Sequence, residues 1–309
     1  MRTALFSRQQ SGGVFTIADF AQHPGEIFFV HSGTGTDSAG YGKNPDAPFA
    51  SLSYAFSSDL LTASKGDVVY LMPGHVESIA NAQVAMDIAG VAVIGVGSDS
   101  VTPQVHFDHA NASIDISASG CSIDNVRLLP SVTIVAIGID VNAAALDTTL
   151  SNIEVLPGED GAGVDEFVLA IDIKAGCSRT RVSGIKVRQH ASAAGCVAAV
   201  KLTGASDDVV IEDGDFDMAG AALVAPINGD TTLSTGVRIR RCTFVTDAGE
   251  PGFELLTGTT GVAEDCLVFG NFATLAAALV GDGIARFRCE NIEVAAESGG
   301  VIGTASADD

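Results

Sequence analysis

The sequence predicts an all-β chain wound into a coil whose strands stack in parallel on the equivalent strands one turn later, and three observations predict it. A six-residue pattern, apolar at its first, fourth and sixth places, recurs seven times between Ile123 and Val294. Apolar-polar-apolar triplets precede the copies, among them Ile114-Asp115-Ile116, Ile139-Asp140-Val141, Ile171-Asp172-Ile173, Val200-Lys201-Leu202 and Phe253-Glu254-Leu255. Turn-forming stretches such as Ser117 to Gly120, Ala175-Gly176, Thr203 to Asp208 and Gly258 to Gly261 lie between the two.

The copies begin at Ile123, Leu150, Val182, Ile211, Ile239, Ala263 and Cys289, at spacings of 27, 32, 29, 28, 24 and 26 residues. A repeat of this length is too small to bury its own apolar side and must stack on its neighbours. The fourth and sixth positions share a face through the two-residue period of a strand. The gap after the first position carries polar or small residues, as in Asp124-Asn125, Ser151-Asn152, Ser183-Gly184 and Glu212-Asp213, which predicts a corner. Asn and Gly there accept a left-handed backbone. The expected interior is therefore Ile123, Val126, Leu128, Ile153, Val155, Ile185, Val187, Ile211, Phe216, Ile239, Cys242, Phe244, Cys266, Val268, Ile292 and Val294. Val91 to Val96 fits the same pattern one coil earlier. Leucine-rich and helical repeats are excluded, since neither a dense leucine consensus nor apolar spacings of three and four are present. At about 28 residues per turn a coil has room for about three short strands, and about 4.8 Å per coil gives a rod on the order of 40 Å.

A solenoid needs covered ends. Pro45 to Phe49 reads as a turn, and Ala50 to Leu61 places Leu52, Ala55, Phe56 and Leu60 on one helical face, an expected N-terminal capping helix. Ile27 to His31 is a short strand, followed by a glycine-rich loop from Ser32 to Gly42. The expected organisation is an arm over residues 1–24, a lead-in strand, loop and capping helix over 25–66, the coil over 67–303 and a flexible acidic tail over 304–309.

The order Phe29-Val30, Gly33 to Ser38, Gly42, Pro45 to Leu52, Ala55 and Gly66 to Glu77 resembles the opening segment of right-handed parallel β-helix proteins of the pectate-lyase-like superfamily, in particular those of phage tailspikes and other virion proteins. The resemblance covers about 50 residues, and it implies a single-stranded right-handed parallel β-helix. It also implies association as a homotrimer around a symmetry axis. Lyases, hydrolases and inert structural proteins share such coils, so activity has to be argued from residues.

Composition narrows the partners. With 38 acidic against 16 basic residues the net charge is -22, which argues against nucleic acid or an anionic bilayer. Acidity serves solubility or, alternatively, a cation or basic partner. No apolar run is long enough to span a bilayer, and Met1 to Gln10 lacks the hydrophobic stretch of a signal peptide. The expected location is a virion, after synthesis in a host cytoplasm. The six cysteines contain no C-x-x-C pair and read as small buried hydrophobes, with no metal or other cofactor expected. Gly33 to Ser38 and Gly40-Tyr41-Gly42-Lys43-Asn44 do not satisfy a phosphate-loop pattern.

Acidic pairs at Glu159-Asp160, Asp165-Glu166, Asp207-Asp208 and Asp213 with Asp215 are of the type a glycoside hydrolase uses. Lyases of the resembled family employ calcium-binding carboxylates with an arginine or lysine base. Arg179, Arg181, Lys186 and Arg188 lie in sequence near Asp172 and Asp207, which makes Arg188, Asp208 and Asp172 the enzymatic candidates. The chain has no Trp, and its tyrosines, Tyr41, Tyr54 and Tyr70, all precede the marked coils, a poor endowment for stacking on sugar. The expectation is a non-enzymatic virion component, a capsid decoration or tail adsorption protein. Arg2, Leu5, Phe6, Arg8 and Phe15 of the arm would dock on major capsid or tail proteins, or the arm would fold back over the rod. A host surface glycan is a further possible partner, and a virion-borne polysaccharide lyase or hydrolase is the alternative.

Overall fold

A computed structural model of the chain describes residues 25–80, 83–143, 145–158, 165–189, 195–229, 231–246, 249–270 and 272–293, with the short antiparallel pair Gln9–Gln10 and Gly13–Val14. From Ile27 onward the strands form a parallel β-solenoid with three faces. The first sheet runs from Ile27–Val30 through Val68–Leu71 and Ala92–Gly95 to Ile284–Phe287. The second runs from Val76–Ile79 and Gln104–Phe107 to Glu290–Glu293. Ser122–Pro130 and Thr149–Val155 are long enough to cross from one sheet to the other around the corner. The third sheet has eight strands, from Gln83–Met86 to Leu279–Val280.

The corner is where the sequence pattern becomes geometry. The third residue of the hexad has a left-handed backbone in every marked coil from Asn125 to Asp265: Asn125 (φ 57°), Asn152 (52°), Gly184 (65°), Asp213 (55°), Arg241 (50°) and Asp265 (53°). Asn125 steadies its own corner by donating from Nδ2 to the carbonyls of Gly95 (2.8 Å) and Gly97 (3.0 Å) in the previous coil. The corner turns the first position and the fourth and sixth positions into one interior, and Ile123, Val126, Leu128, Ile153, Val155, Ile185, Val187, Ile211, Phe216, Ile239, Cys242, Phe244, Cys266 and Val268 are all buried there. In the fourth coil the fourth position is Gly214, because the Phe216 ring takes its room: a Cβ at Gly214 would sit 2.5 Å from that ring. Phe216 in turn stacks on Phe244 of the next coil at 5.2 Å between centroids.

Two copies differ in phase from the expectation. Val93, two residues after Val91, is the partner of Ile123 in the first sheet. At the far end Ala263 pairs with Arg286, and Val268 with Asn291, so the last coil's corner is Arg288 (φ 52°) and Cys289 takes the fourth position. Ile292 therefore corrects the expected interior: it pairs with Phe269 on the outward side and is half-buried, while Asn291 occupies the sixth position. The physical reason is that the polar groups in these interior places find backbone carbonyl acceptors. Arg286 donates to the carbonyls of Leu279 (2.7 Å) and Gly281 (3.3 Å), and Asn291 Nδ2 to that of Phe272 (2.9 Å). Val294 lies outside the described residues, as do residues 304–309.

At the other end, Ile27–Val30 is itself a strand of the first sheet. The helix is shorter than the sequence pattern implied, Leu52–Ser57, with Leu52, Ala55 and Phe56 buried against the core and Leu60 beyond its end. Asp59 (φ 59°) breaks it. Its N-terminus is held by Ser51, which accepts from the Tyr54 amide, and by the buried Glu77, which accepts from the amides of Leu52 (2.7 Å) and Ser53 (3.3 Å). His75 is also buried: its Nδ1 accepts from the Ser32 amide at 3.0 Å, leaving Nε2 to donate to Glu77 at 3.2 Å.

Candidate functional site

The outward side chains make three sets. At the bends, arginines reach back to carboxylates one coil earlier: Arg241 to Asp213 and Arg288 to Asp265 at the corner, and Arg179 to Asp147 in the turn from the third sheet to the first, are each held by two bonds of 2.5 to 2.8 Å. Each hydrogen-bonded arginine keeps its partner's carboxyl below the usual range. Arg181 meets the buried Glu212, and Arg241 reaches it too at 3.2 Å. Asp208, at a left-handed position (φ 57°) in the turn from the third sheet to the first, faces Arg238 at 3.7 Å.

A second set stacks on the third sheet, where register places Asp115, Asp140, Asp172, Lys201, Asn228 and Glu254 on successive strands. Lys174 bonds Asp140 at 2.5 Å, Asn142 bonds Asp115 and Thr203 bonds Asp172. Burial, with the neighbouring Asp140 charge, pushes the carboxyls of Asp115 and Asp172 above the ordinary range. These close like charges are therefore a polar ladder compensated by lysines and amides. Among the described residues no group of three or more His, Cys, Asp or Glu side chains is disposed to hold a metal ion.

The third set surrounds a cleft at the corner between the second and third sheets. The connection there is three residues long after Ile79, but eleven after Val155 and nine after Arg188. The opening has a volume of about 20 Å³, walled by Pro130, Leu156, Phe167 and Met218 among others. Glu166 lines it, 6% exposed, with Oε1 accepting from the Gly195 amide at 2.5 Å and Oε2 buried without a partner. Gln189 also lines it, with its amide buried against the Cys196 thiol. The Cys196 thiol beside that amide is a weak partner, and burial pushes the thiol up to about 12. Arg188, at the rim, is engaged by Asp215 at 2.5 Å.

Arg188, Asp208 and Asp172 are not brought together. They lie on the second sheet, at the turn into the first sheet and on the third sheet respectively, so no single substrate bond can meet all three. Of the acidic pairs, Asp165-Glu166 reaches the cleft, Glu159-Asp160 lies outside the described residues, and Asp213 and Asp215 are tied to Arg241 and Arg188. Arg2, Leu5, Phe6, Arg8 and Phe15 lie outside the described residues. Sequence reasoning missed Gln189 and the role of Glu166; the unequal lengths of the two turns were the available signal. No described helix is long and apolar enough to cross a membrane.

No family model matches the chain, and no curated protein matches it. Among solved structures it is similar to a rhamnogalacturonan lyase (13% identity, TM-score 0.46, 85% of this chain and 62% of that one). It is also similar to a GH136 lacto-N-biosidase from Eubacterium ramulus (11%, 0.41, 85% and 68%) and to ORF18 of Geobacillus virus E2 (12%, 0.35, 86% and 61%). The chain thus spans less than two thirds of the lyase and of the viral protein, and at this identity what those proteins act on does not pass to it.

Proposed function

We propose that the protein is a non-enzymatic structural component of a virus particle, a rod that decorates a capsid or serves tail adsorption and is anchored by residues 1–24. The observation that carries the non-enzymatic part is the engagement of charge: Arg127, Arg179, Arg181, Arg188, Arg238, Arg240, Arg241 and Arg288 each pair with a carboxylate of an adjacent coil. A base or transition-state clamp needs a cation free to meet substrate, whereas paired cations stiffen a rod. The virion setting rests on the resemblance of the opening segment, and self-association as a trimer accompanies it.

Two measurements test the reading. Chain lacking residues 1–20 should fold with an unchanged circular dichroism spectrum and fail to join particles; normal incorporation overturns the anchor. Intact protein incubated with host polysaccharide should release neither reducing ends nor unsaturated products. Release that disappears in Arg188→Ala or Asp208→Asn would establish the lyase or hydrolase instead.

A further inference from the structure

The outward face of the first sheet changes character along the rod. Parallel register sets its outward side chains in two columns, Ile27, Val68, Ala92, Ser122, Thr149 and Arg181 in one and Phe29, Tyr70, Ile94, Asp124, Ser151 and Ser183 in the other. Both columns are apolar over the first three strands and polar over the next three. Phe29, Val68 and Tyr70 form a cluster separate from the interior, packed against Ala92 and Ile94 among others, with the Phe29 and Tyr70 rings stacked at 6.0 Å between centroids. A contiguous apolar patch with a polar border marks a surface that something covers. Phe29, Val68 and Tyr70 are only 1%, 0% and 5% exposed, and that within a single chain. Neighbours standing in the same plane close the flanks of such side chains and leave their tips open. The loop from Ser32 to Phe49 lies along the edge of the sheet, where the Phe29 amide donates to Gly42 (2.7 Å) and the Phe49 amide to Phe29 (2.9 Å).

From this face we infer that residues 1–24 dock on it, with Val14, Phe15, Ile17 and Phe20 seated on Val68, Tyr70, Ala92 and Ile94. Three features select this occupant. The chain enters the fold beside the patch: Gly25 lies so close to Asp67 that a Cβ there would run into its carboxylate, and the Glu26 amide donates to the same carboxylate at 2.7 Å, one residue before Val68. The length fits, because three strands measure about 10 Å across at the usual spacing, and an extended stretch such as 14–20 crosses that with residues to spare. The burial is complete within one chain, which favours the chain's own arm over a second copy, and residues 294–309 follow the opposite end of the rod. The docking goes beyond the particle-attachment reading and is tested on the isolated chain, so either can fail alone.

The experiment is limited chymotrypsin digestion of the intact chain, with cleavage after Phe15 and Phe20 followed by mass spectrometry and a synthetic peptide of residues 1–24 as the undocked reference. Cleavage in the folded chain should be at least about tenfold slower than in the peptide, because only the released arm is cut. Ile94→Lys, which puts a charge in the middle of the patch, should speed it about tenfold toward the peptide rate. Ser183→Lys, three strands further along the same column, should leave it unchanged. If circular dichroism shows that Ile94→Lys does not fold, Ala92→Lys gives the same reading. Cleavage as fast as in the peptide, or no acceleration in the patch variant, overturns the docking. Protection that grows with protein concentration also overturns it, because the face would then be covered by a second copy.

Discussion

Truncating Phe244 to alanine is the sharpest test of how the interior is built. Its ring is fully buried, lies 5.2 Å from Phe216 with an interplanar angle of 8°, and fills the space that a Cβ at Gly252 would invade at 2.8 Å. Deleting a buried phenyl costs about 3–5 kcal/mol through lost transfer energy and the cavity left behind, of which ring stacking accounts for about 0.5–1.5 kcal/mol. Against a net stability of about 5–15 kcal/mol, that is a large share. Phe269 is the control: it sits one coil later and one residue out of step, on the outward side and half-buried, and Phe269→Ala should cost ~1 kcal/mol or less. Urea unfolding followed by circular dichroism and by intrinsic tyrosine fluorescence reads both variants, and coincidence of the two probes checks that a repeat protein is unfolding as one unit. Equal losses, or a larger loss for Phe269→Ala, would refute the register, because a slip of one residue exchanges the two faces.

Acid should act on the two carboxylate sets in opposite directions. The arginine-paired aspartates Asp147, Asp213 and Asp265 have folded pKa values lowered by their arginines, so their contribution is intact above the unfolded value of about 3.9 and is lost only as pH falls through the lowered values. Asp115 and Asp172 are raised, so their unfavourable contribution at neutral pH is relieved as pH falls through the raised values toward the ordinary range. Carboxyl carbon NMR titrations resolve both; a corner aspartate titrating above Asp172 would contradict the geometry. All six cysteines are buried free thiols, with Cys196 and Cys266 pushed up to about 12, so iodoacetamide at mildly alkaline pH should leave the folded chain unmodified and label all six after denaturation. Rapid labelling of the folded chain would mean that the coils open.

The coil was legible because its demands are local. A left-handed residue, an apolar fourth position and an apolar sixth follow one another within a single hexad, and Asn125, Asn152 and Gly184 announce the corner by residue type. Later corners were harder, since Arg241 and Arg288 are poor left-handed residues on their own and hold the conformation with help from the carboxylates of the preceding coil. The last coil misled for the same reason: Ile292 and Val294 have the right spacing from Cys289, while the partners that put Arg286 and Asn291 inside come from a strand 23 residues earlier. Leu275–Ala278 is a helical turn fixed by Thr274, whose hydroxyl accepts from the Ala277 amide at 3.2 Å. The cleft was invisible because its lining comes from positions spread between Pro130 and Met218, and no local spacing encodes that convergence.

The unequal turns carry a consequence for how such a chain tolerates change. One residue added between the first and fourth hexad positions would rotate every following side chain out of phase, so that stretch is length-locked in each coil. The connection from the second sheet to the third already ranges from three residues after Ile79 to eleven after Val155 without disturbing the stack on either side. That edge is therefore the place where foreign loops can be grafted and displayed, one above another at the strand spacing of about 4.8 Å, on a scaffold whose length is set only by how many coils it contains.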